Sequence, residues 1–212
     1  MITEYDRQLQ ENIGKYGKDI SYYALYKILI MKRLLDFKPN SILEFGCGTG
    51  RNLSFLKYYF PDSQITAYDH SQLYLDIAKS NLYLSDVKFT NKIGKEKYDL
   101  ILVANVFHHI QPKYRIMIMN IIKQIMSGDL FIFEHNPYNP LIVKAVSNCP
   151  IDKDVKLLKP DELIKYIKDA DIKLIDHKYC LFFPAALKQF NRLEKYIGFL
   201  PFGGQYYIRG RK

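Results

Sequence analysis

The sequence is short of the features that mark secreted, membrane-spanning and disulfide-linked proteins. It has 212 residues and only three cysteines, Cys47, Cys149 and Cys180, an odd number without the paired spacing of a zinc site or a disulfide framework. No stretch approaches the roughly 20 apolar residues of a membrane-spanning helix, and the first residues lack the basic-then-apolar order of a signal peptide. We therefore expect a cytoplasmic protein with reduced, structural thiols and no metal site.

The charge is unbalanced but dispersed. Lysines and arginines number 31 against 22 acidic residues, a formal net charge of +9. A clustered excess would favour a nucleic-acid partner, because cations near a phosphate backbone release its counterions. Here the only dense basic run is the ending Arg209-Gly210-Arg211-Lys212. The pattern argues against nucleic acid and leaves an anionic membrane surface or a phosphorylated substrate open.

Apolar periodicity predicts an α/β fold. Apolar residues recur at helical spacing between residues 19 and 36, so a helix precedes the first strand. The predicted strands are at 41–45, 64–69, 87–90, 98–104, 130–134, 172–181 and 205–209, and the later helices are at 50–59, 71–82, 112–126, 160–170 and 184–197. This alternation predicts a Rossmann-like, doubly wound, mostly parallel seven-stranded sheet. We expect the last strand to pair antiparallel with strand 172–181.

The length suits one domain with a modified end rather than two domains and a linker. We divide residues 1–212 into an N-terminal helical cap at 1–38, a cofactor-binding core at 39–135, and substrate-side elements with the final strands at 136–212. The second boundary is marked by Asn136-Pro137-Tyr138-Asn139-Pro140, a polar segment punctuated by proline that cannot continue a strand.

A glycine-rich loop follows the first predicted strand directly. From Glu44 to Gly50 the chain reads Glu-Phe-Gly-Cys-Gly-Thr-Gly, and the three glycines let the backbone approach a ligand closely because they have no Cβ. The dinucleotide-binding fingerprint has two residues between its second and third glycines, whereas this loop has one. The order instead resembles the first motif of the class I S-adenosylmethionine-dependent methyltransferases. The resemblance implies that Glu44, Gly46, Cys47, Gly48 and Gly50 contact S-adenosylmethionine beside its methionine and ribose parts.

Later strand ends extend this resemblance. Asp69 ends the second predicted strand, 23 positions after Gly46, where a carboxylate can accept hydrogen bonds from both hydroxyls of a ribose. The resemblance makes Asp69 the ribose ligand and places His70 near the adenine. It also places Asn105, at the end of strand 98–104, beside the amino group and the transferred methyl. The family usually has an acid after the third strand to contact the adenine amine, and here the amide oxygen of Asn91 is the expected substitute.

Histidines follow on the expected substrate side. A hydroxyl acceptor has to lose a proton, and His108, His109 or His135 could accept it, whereas a nitrogen acceptor only has to arrive unprotonated. Histidines near a pocket are also often packed structural residues, and that interpretation stays open. We take His108 and His109 as the candidate catalytic residues.

The acceptor is suggested by further resemblance. The segments at 130–141, 147–152 and 200–207 resemble a bacterial methyltransferase subgroup often encoded among surface-polysaccharide genes, which implies O-methylation of a sugar or lipid-linked glycan. The 18 tyrosines and 13 phenylalanines leave a small aromatic or quinone-like acceptor open. A non-catalytic cofactor-binding module is the third alternative. The predicted amphipathic helix at 184–197 could cap the core, close over the substrate or lie on an anionic membrane. The oligomeric state is left open.

Overall fold

Seven strands form one sheet in the computed structural model, which describes residues 20–149 and 155–212. The strands are β1 (Ser41–Phe45), β2 (Gln64–Tyr68), β3 (Lys88–Thr90), β4 (Tyr98–Ala104), β5 (Met126–His135), β6 (Lys173–Cys180) and β7 (Gln205–Arg211). Their order across the sheet is β3-β2-β1-β4-β5-β7-β6, and the pairs from β3 to β5 are parallel. The predicted Rossmann-like, mostly parallel seven-stranded sheet is confirmed.

The helices begin and end at residues with clear local signals. They are α1 (Ile20–Leu34), α2 (Leu53–Tyr59), α3 (Gln72–Lys79), α4 (Pro112–Ile125), α5 (Pro140–Ser147), α6 (Pro160–Asp169) and α7 (Glu194–Ile197), with 3-10 segments at Leu82–Leu84, Phe107–His109 and Ala185–Leu193. Proline opens α4, α5 and α6, where its missing N–H costs nothing. Ser71 and Asn139 cap α3 and α5 by accepting backbone hydrogen bonds.

Each face of the sheet has its own apolar core. On β4, Leu100 and Leu102 face the core under α1, α2 and α3, whereas Ile101 and Val103 face the core under α4 and α6. All four side chains are fully buried, because successive residues of a central parallel strand point to opposite covered faces. This double burial explains why the central strands are nearly continuous apolar runs.

The last strand is antiparallel, as predicted, but it does not lie at the edge of the sheet. β7 pairs antiparallel with both β5 and β6, so β6 forms the edge. β5 also begins four residues earlier than the predicted residue 130. The polar stretch that hid this start includes Asp129, which is completely buried and paired with Arg209 and Arg211 of β7. The start of β5 is therefore stabilised by an ion pair with the neighbouring strand, and apolar periodicity does not detect such a residue as part of a buried strand.

The C-terminal third differs from the prediction in two places. α5 was not predicted, and the expected amphipathic helix at 184–197 is instead a 3-10 segment with a non-helical backbone at Leu187, followed by the short α7. Glu194 ties the end of this segment to β6, because its buried carboxylate accepts hydrogen bonds from the backbone N–H groups of Leu181 and Phe182.

Some expectations concern residues outside the described part of the chain. Residues 1–19 of the predicted cap and residues 150–152 of one segment used for the family resemblance fall there. Within the described residues, no helix has both the length and the apolar character needed to cross a membrane.

Candidate active site

The glycine loop between β1 and α2 is held in an unusual backbone conformation. Gly46, Gly48 and Gly50 all have positive φ, at 78°, 53° and 82°. A Cβ on Gly46 would lie 2.5 Å from Cγ2 of Val106, whereas a Cβ on Gly48 would have no neighbour within 4 Å. Gly46 is therefore required by packing, and Gly48 borders open space in which a ligand can approach the backbone.

Asp69 follows β2 and joins the loop to this strand. One carboxylate oxygen accepts a hydrogen bond from the backbone N–H of Gly48 at 2.8 Å, and the other accepts from that of Ser71 at 2.9 Å. A carboxylate oxygen can accept two hydrogen bonds, so Asp69 retains acceptor capacity on both oxygens. This is the capacity that a ribose with two adjacent hydroxyls requires.

Glu44, on β1, is a buried acid with one unused oxygen. Its Oε1 accepts a hydrogen bond from Asn52 at 2.6 Å, and its Oε2 is buried without a hydrogen-bond partner among the described residues. Burial raises the pKa of Glu44 to about 8, although the Asn52 hydrogen bond and the nearby Lys27 both act to lower it. A buried acceptor of this kind fits an ammonium group, which the methionine part of S-adenosylmethionine has.

The remaining predicted cofactor residues differ in environment. Cys47 is buried, which raises the pKa of its thiol, so the thiol is a neutral packing group. His70 is largely exposed, with Nδ1 3.4 Å from Oδ1 of Asp69. Asn91 is exposed, and its amide nitrogen donates to Gln72 at 3.1 Å, which orients the amide. The roles of His70 and Asn91 at the adenine stay predictions.

Asn105 lies at the carboxyl end of β4 with a left-handed backbone, φ 58°. Asparagine tolerates this region better than most residues. Its N–H donates to the carbonyl of Phe133 at 2.8 Å, and its side-chain oxygen accepts from Gln205 at 3.1 Å. The start of β7 therefore helps to position Asn105 at the same edge as the glycine loop.

An acid and a histidine form a buried pair beside Asn105. Oε2 of Glu134 lies 2.5 Å from Nδ1 of His108, and both side chains are only 1% exposed. Oε1 of Glu134 accepts from the backbone N–H groups of Val106 and Phe107 at 3.1 and 2.7 Å. A carboxylate at Nδ1 makes that nitrogen the hydrogen-bond donor, so Nε2 is the nitrogen suited to accept a proton.

Two more histidines contact this pair. The His109 ring, which is exposed, lies 4.2 Å from the His108 ring, and the His135 ring lies 5.4 Å from it, measured between centroids. Nδ1 of His135 is buried without a partner among the described residues, and burial keeps the pKa of His135 well below its ordinary value. His135 is therefore neutral at neutral pH.

The sequence analysis did not identify Glu134 or Lys27 as site residues. Glu134 had one signal, an acid that ends an otherwise apolar strand. Lys27 lies in an apolar stretch of α1 and is buried, and its Nζ donates to the carbonyl of Tyr23 at 3.1 Å. Burial lowers the pKa of Lys27 to about 8, while the charges of Glu44 and other neighbouring acids act to raise it. Lys27 therefore brings a second charge to the site.

The fold and these contacts define the class. Four features together fit S-adenosylmethionine and not a dinucleotide pyrophosphate. They are the parallel sheet, the three-glycine loop after β1, the acid after β2 and the acid on β1 whose Oε2 has no partner among the described residues. The part of the chain that holds most of this site, residues 43–127, is a methyltransferase domain, and S-adenosylmethionine is the cofactor that its contacts fit.

Comparison with known proteins agrees. Residues 43–127 match the family model described as a methyltransferase domain. A bifunctional methyltransferase of Rickettsia bellii is 34% identical over 93 residues, 40% of this chain and 17% of that protein. A malonyl-[acyl-carrier protein] O-methyltransferase of Bacillus cytotoxicus is 28% identical over 97 residues, 43% of this chain and 34% of that protein. The matches thus span about a third or less of these relatives.

A solved structure shows the same fold over the full length. Magnesium protoporphyrin IX methyltransferase from Synechocystis, crystallised with SAH, superposes with a TM-score of 0.61. The alignment covers 100% of this chain and 89% of that one at 10% sequence identity. The similarity shows that the two proteins share a fold, and it does not identify the acceptor of this protein.

Proposed function

We propose that the protein transfers the methyl group of S-adenosylmethionine to a hydroxyl of a sugar or lipid-linked glycan, with His108 as the proton acceptor. The contact of 2.5 Å between Glu134 and His108 is the observation on which the catalytic assignment rests. The resemblance of segments 130–141 and 200–207 to a subgroup found among surface-polysaccharide genes supports the acceptor class.

The residues around the glycine loop would hold the cofactor. Asp69 would accept hydrogen bonds from the ribose hydroxyls, and Glu44 from the ammonium group. When bound, S-adenosylmethionine supplies an electrophilic methyl carbon on a sulfonium, which is already an excellent leaving group. The protein therefore has mainly to align the acceptor oxygen with that carbon and exclude water.

The acceptor is the part that needs proton transfer. A hydroxyl oxygen loses its proton as it attacks, and Nε2 of His108 would receive this proton. The charge of Glu134 at Nδ1 would then stabilise the imidazolium that forms. His109, which is exposed beside His108, would contact the acceptor. His135 is neutral and so adds no competing charge.

The test is methyl transfer from labelled S-adenosylmethionine to a panel of hydroxylated sugars, lipid-linked glycans and aromatic acceptors. We expect a glycan to be labelled and His108→Ala to lower kcat by about 10²- to 10⁴-fold, the usual contribution of a general base. Glu134→Gln keeps an acceptor at Nδ1 but removes the charge, and we expect a smaller loss. Calorimetry should show unchanged cofactor affinity in both variants.

Three results would contradict the proposal. Full turnover by both His108→Ala and His109→Ala would remove histidine from the mechanism. If only aromatic acceptors are labelled, the acceptor is a small aromatic compound and not a glycan. The absence of both heat and thermal stabilisation on titration with S-adenosylmethionine would mean a module that does not bind the cofactor.

A further inference from the structure

Exposed apolar side chains are concentrated at the edge of the sheet that holds the active site. The chain reaches this edge after β5, after β6 and before β7, because His135 and Cys180 both pair with Gln205 across the sheet. Six large apolar side chains in these three segments are between 41% and 75% exposed. We call them the apolar rim: Leu141, Phe190, Leu193, Tyr196, Phe199 and Phe202.

The backbone beneath the apolar rim is firmly held. The side chain of Asn139 donates to the carbonyl of Phe202 at 2.8 Å, which ties the start of α5 to the segment before β7. The N–H of Tyr179 donates to the carbonyl of Gly198 at 2.7 Å, and that of Gly204 donates to Leu181 at 2.9 Å. The outward rings are therefore set by a hydrogen-bonded backbone and not by a loose loop.

The exposed charges of the same segments are all positive. Residues 136–149 and 181–204 contain four basic residues, Lys144, Lys188, Arg192 and Lys195, and one acid, Glu194. The four basic side chains are exposed, whereas Glu194 is buried against α1 and the end of β6. A partner of the apolar rim should therefore combine negative charge with an apolar interior.

The combination of exposed apolar and basic side chains distinguishes between the possible partners of the apolar rim. A second copy of the chain would bring like charges together, since the contact would place the same cations opposite each other. Four of the six rim side chains are aromatic and could stack on bases, but a nucleic acid has no apolar interior to cover Leu141 and Leu193. An anionic bilayer satisfies both requirements, because aromatic and aliphatic side chains enter the headgroup region and basic side chains meet the lipid phosphates.

We propose that the apolar rim docks this protein on the surface of an anionic lipid bilayer, with Phe199 and Phe202 inserted and Lys188, Arg192 and Lys195 against the lipid phosphates. The docked orientation turns the carboxyl edge of the sheet toward the lipid. The inference rests on the exposed side chains and their charge, and holds whichever acceptor is methylated.

The experiment is co-sedimentation of the full chain with phosphatidylcholine vesicles that contain or lack phosphatidylglycerol. We expect sedimentation only with the anionic vesicles and a decrease at high salt, because salt screens the attraction. The K188E/R192E/K195E variant changes exposed side chains only, and should bind about a hundredfold more weakly or worse. Phe199→Ser combined with Phe202→Ser should lower binding by at least about tenfold.

The matched control lies at the opposite, amino edge of the sheet. Tyr58, near the end of α2, and Leu82, in the 3-10 segment after α3, are 69% and 87% exposed, so Tyr58→Ser with Leu82→Ser removes a similar apolar area. This control should bind vesicles like the unaltered protein. Thermal unfolding and calorimetry with S-adenosylmethionine should show that all variants fold and bind the cofactor.

Three outcomes would overturn the inference. The first is no sedimentation with anionic vesicles at low salt. The second is equal binding by the control and the rim variants. The third is a dimer in light scattering that Phe199→Ser with Phe202→Ser abolishes, without vesicle binding, which would make the apolar rim an interface between copies of the chain.

Discussion

Replacing Glu44 by glutamine should make the protein more stable while it weakens cofactor binding. Burial raises the pKa of Glu44 from 4.5 to about 8, so at neutral pH the folded protein holds a proton there that the unfolded chain releases. Glutamine keeps an oxygen for the hydrogen bond from Asn52 and has no ionisable group. Glutamine also cannot acquire the negative charge that Glu44 would take on by losing its proton when an ammonium group binds beside it.

The magnitude follows from the interval between the two pKa values. Each pH unit across this interval is equivalent to about 1.4 kcal/mol, so holding Glu44 protonated costs about 3 kcal/mol at pH 7 and less than about 1 kcal/mol at pH 5. The folded state binds the extra proton between pH 4.5 and about 8, so this group lowers the free energy of unfolding as pH rises through that window. Glu44→Gln should remove this decrease in the free energy of unfolding with rising pH.

Urea unfolding at pH 5 and pH 7 measures the effect. We expect the stability advantage of Glu44→Gln over the unaltered protein to grow between the two pH values by about 2 kcal/mol. Calorimetry should show at least about tenfold weaker binding of S-adenosylmethionine, because a charge-assisted hydrogen bond is lost. The control is Glu96→Gln, which removes an exposed acid and should gain no stability with pH.

Two results would refute this reasoning. A stability difference that stays the same at both pH values would mean that Glu44 is ionised in the folded protein. Unchanged cofactor affinity in Glu44→Gln would mean that its unpaired oxygen does not meet the ammonium group.

Three further substitutions test the loop and the sheet. Gly46→Ala should lower the free energy of unfolding by about 2 to 4 kcal/mol, because φ is positive at this residue and the new Cβ would clash with Val106. At Gly48 the new Cβ enters open space, so Gly48→Ala should lower the free energy of unfolding by only about 1 kcal/mol and should mainly weaken cofactor binding. Urea unfolding and calorimetry separate these outcomes. Asp129→Asn should cost about 3 kcal/mol, because the buried guanidinium of Arg209 then keeps only the exposed Asp36 as a charge partner.

The glycine substitutions and the ion-pair substitution each have a result that would contradict the prediction. If Gly46→Ala and Gly48→Ala lose the same stability, the contact with Val106 is not what requires glycine at the first position. For the ion pair the control is Asp36→Asn, an exposed partner in the same network, which should cost much less stability than Asp129→Asn. Equal losses for Asp36 and Asp129 would contradict the role of burial.

Most of the sheet could be predicted because its signals are local. The strands β1, β2 and β4 are short apolar runs between helices, and their order of appearance already predicts a parallel sheet. The misplaced start of β5 and the 3-10 geometry at 185–193 both lie near a buried acid. Asp129 and Glu194 are acids that the pattern assigns to the surface, and both are buried because residues distant in sequence satisfy them.

The candidate site divides in a similar way. The sequence by itself indicated the ligand class, because the resemblance to the methyltransferase motifs rests on the loop from Glu44 to Gly50 and on Asp69, which belong to single segments. Only the tertiary structure decided that the Oε2 of Glu44 is unpaired, that Glu134 holds His108 and that exposed apolar side chains surround this edge. These features depend on contacts between strands far apart in the chain, and local periodicity carries no information about which charges become buried together.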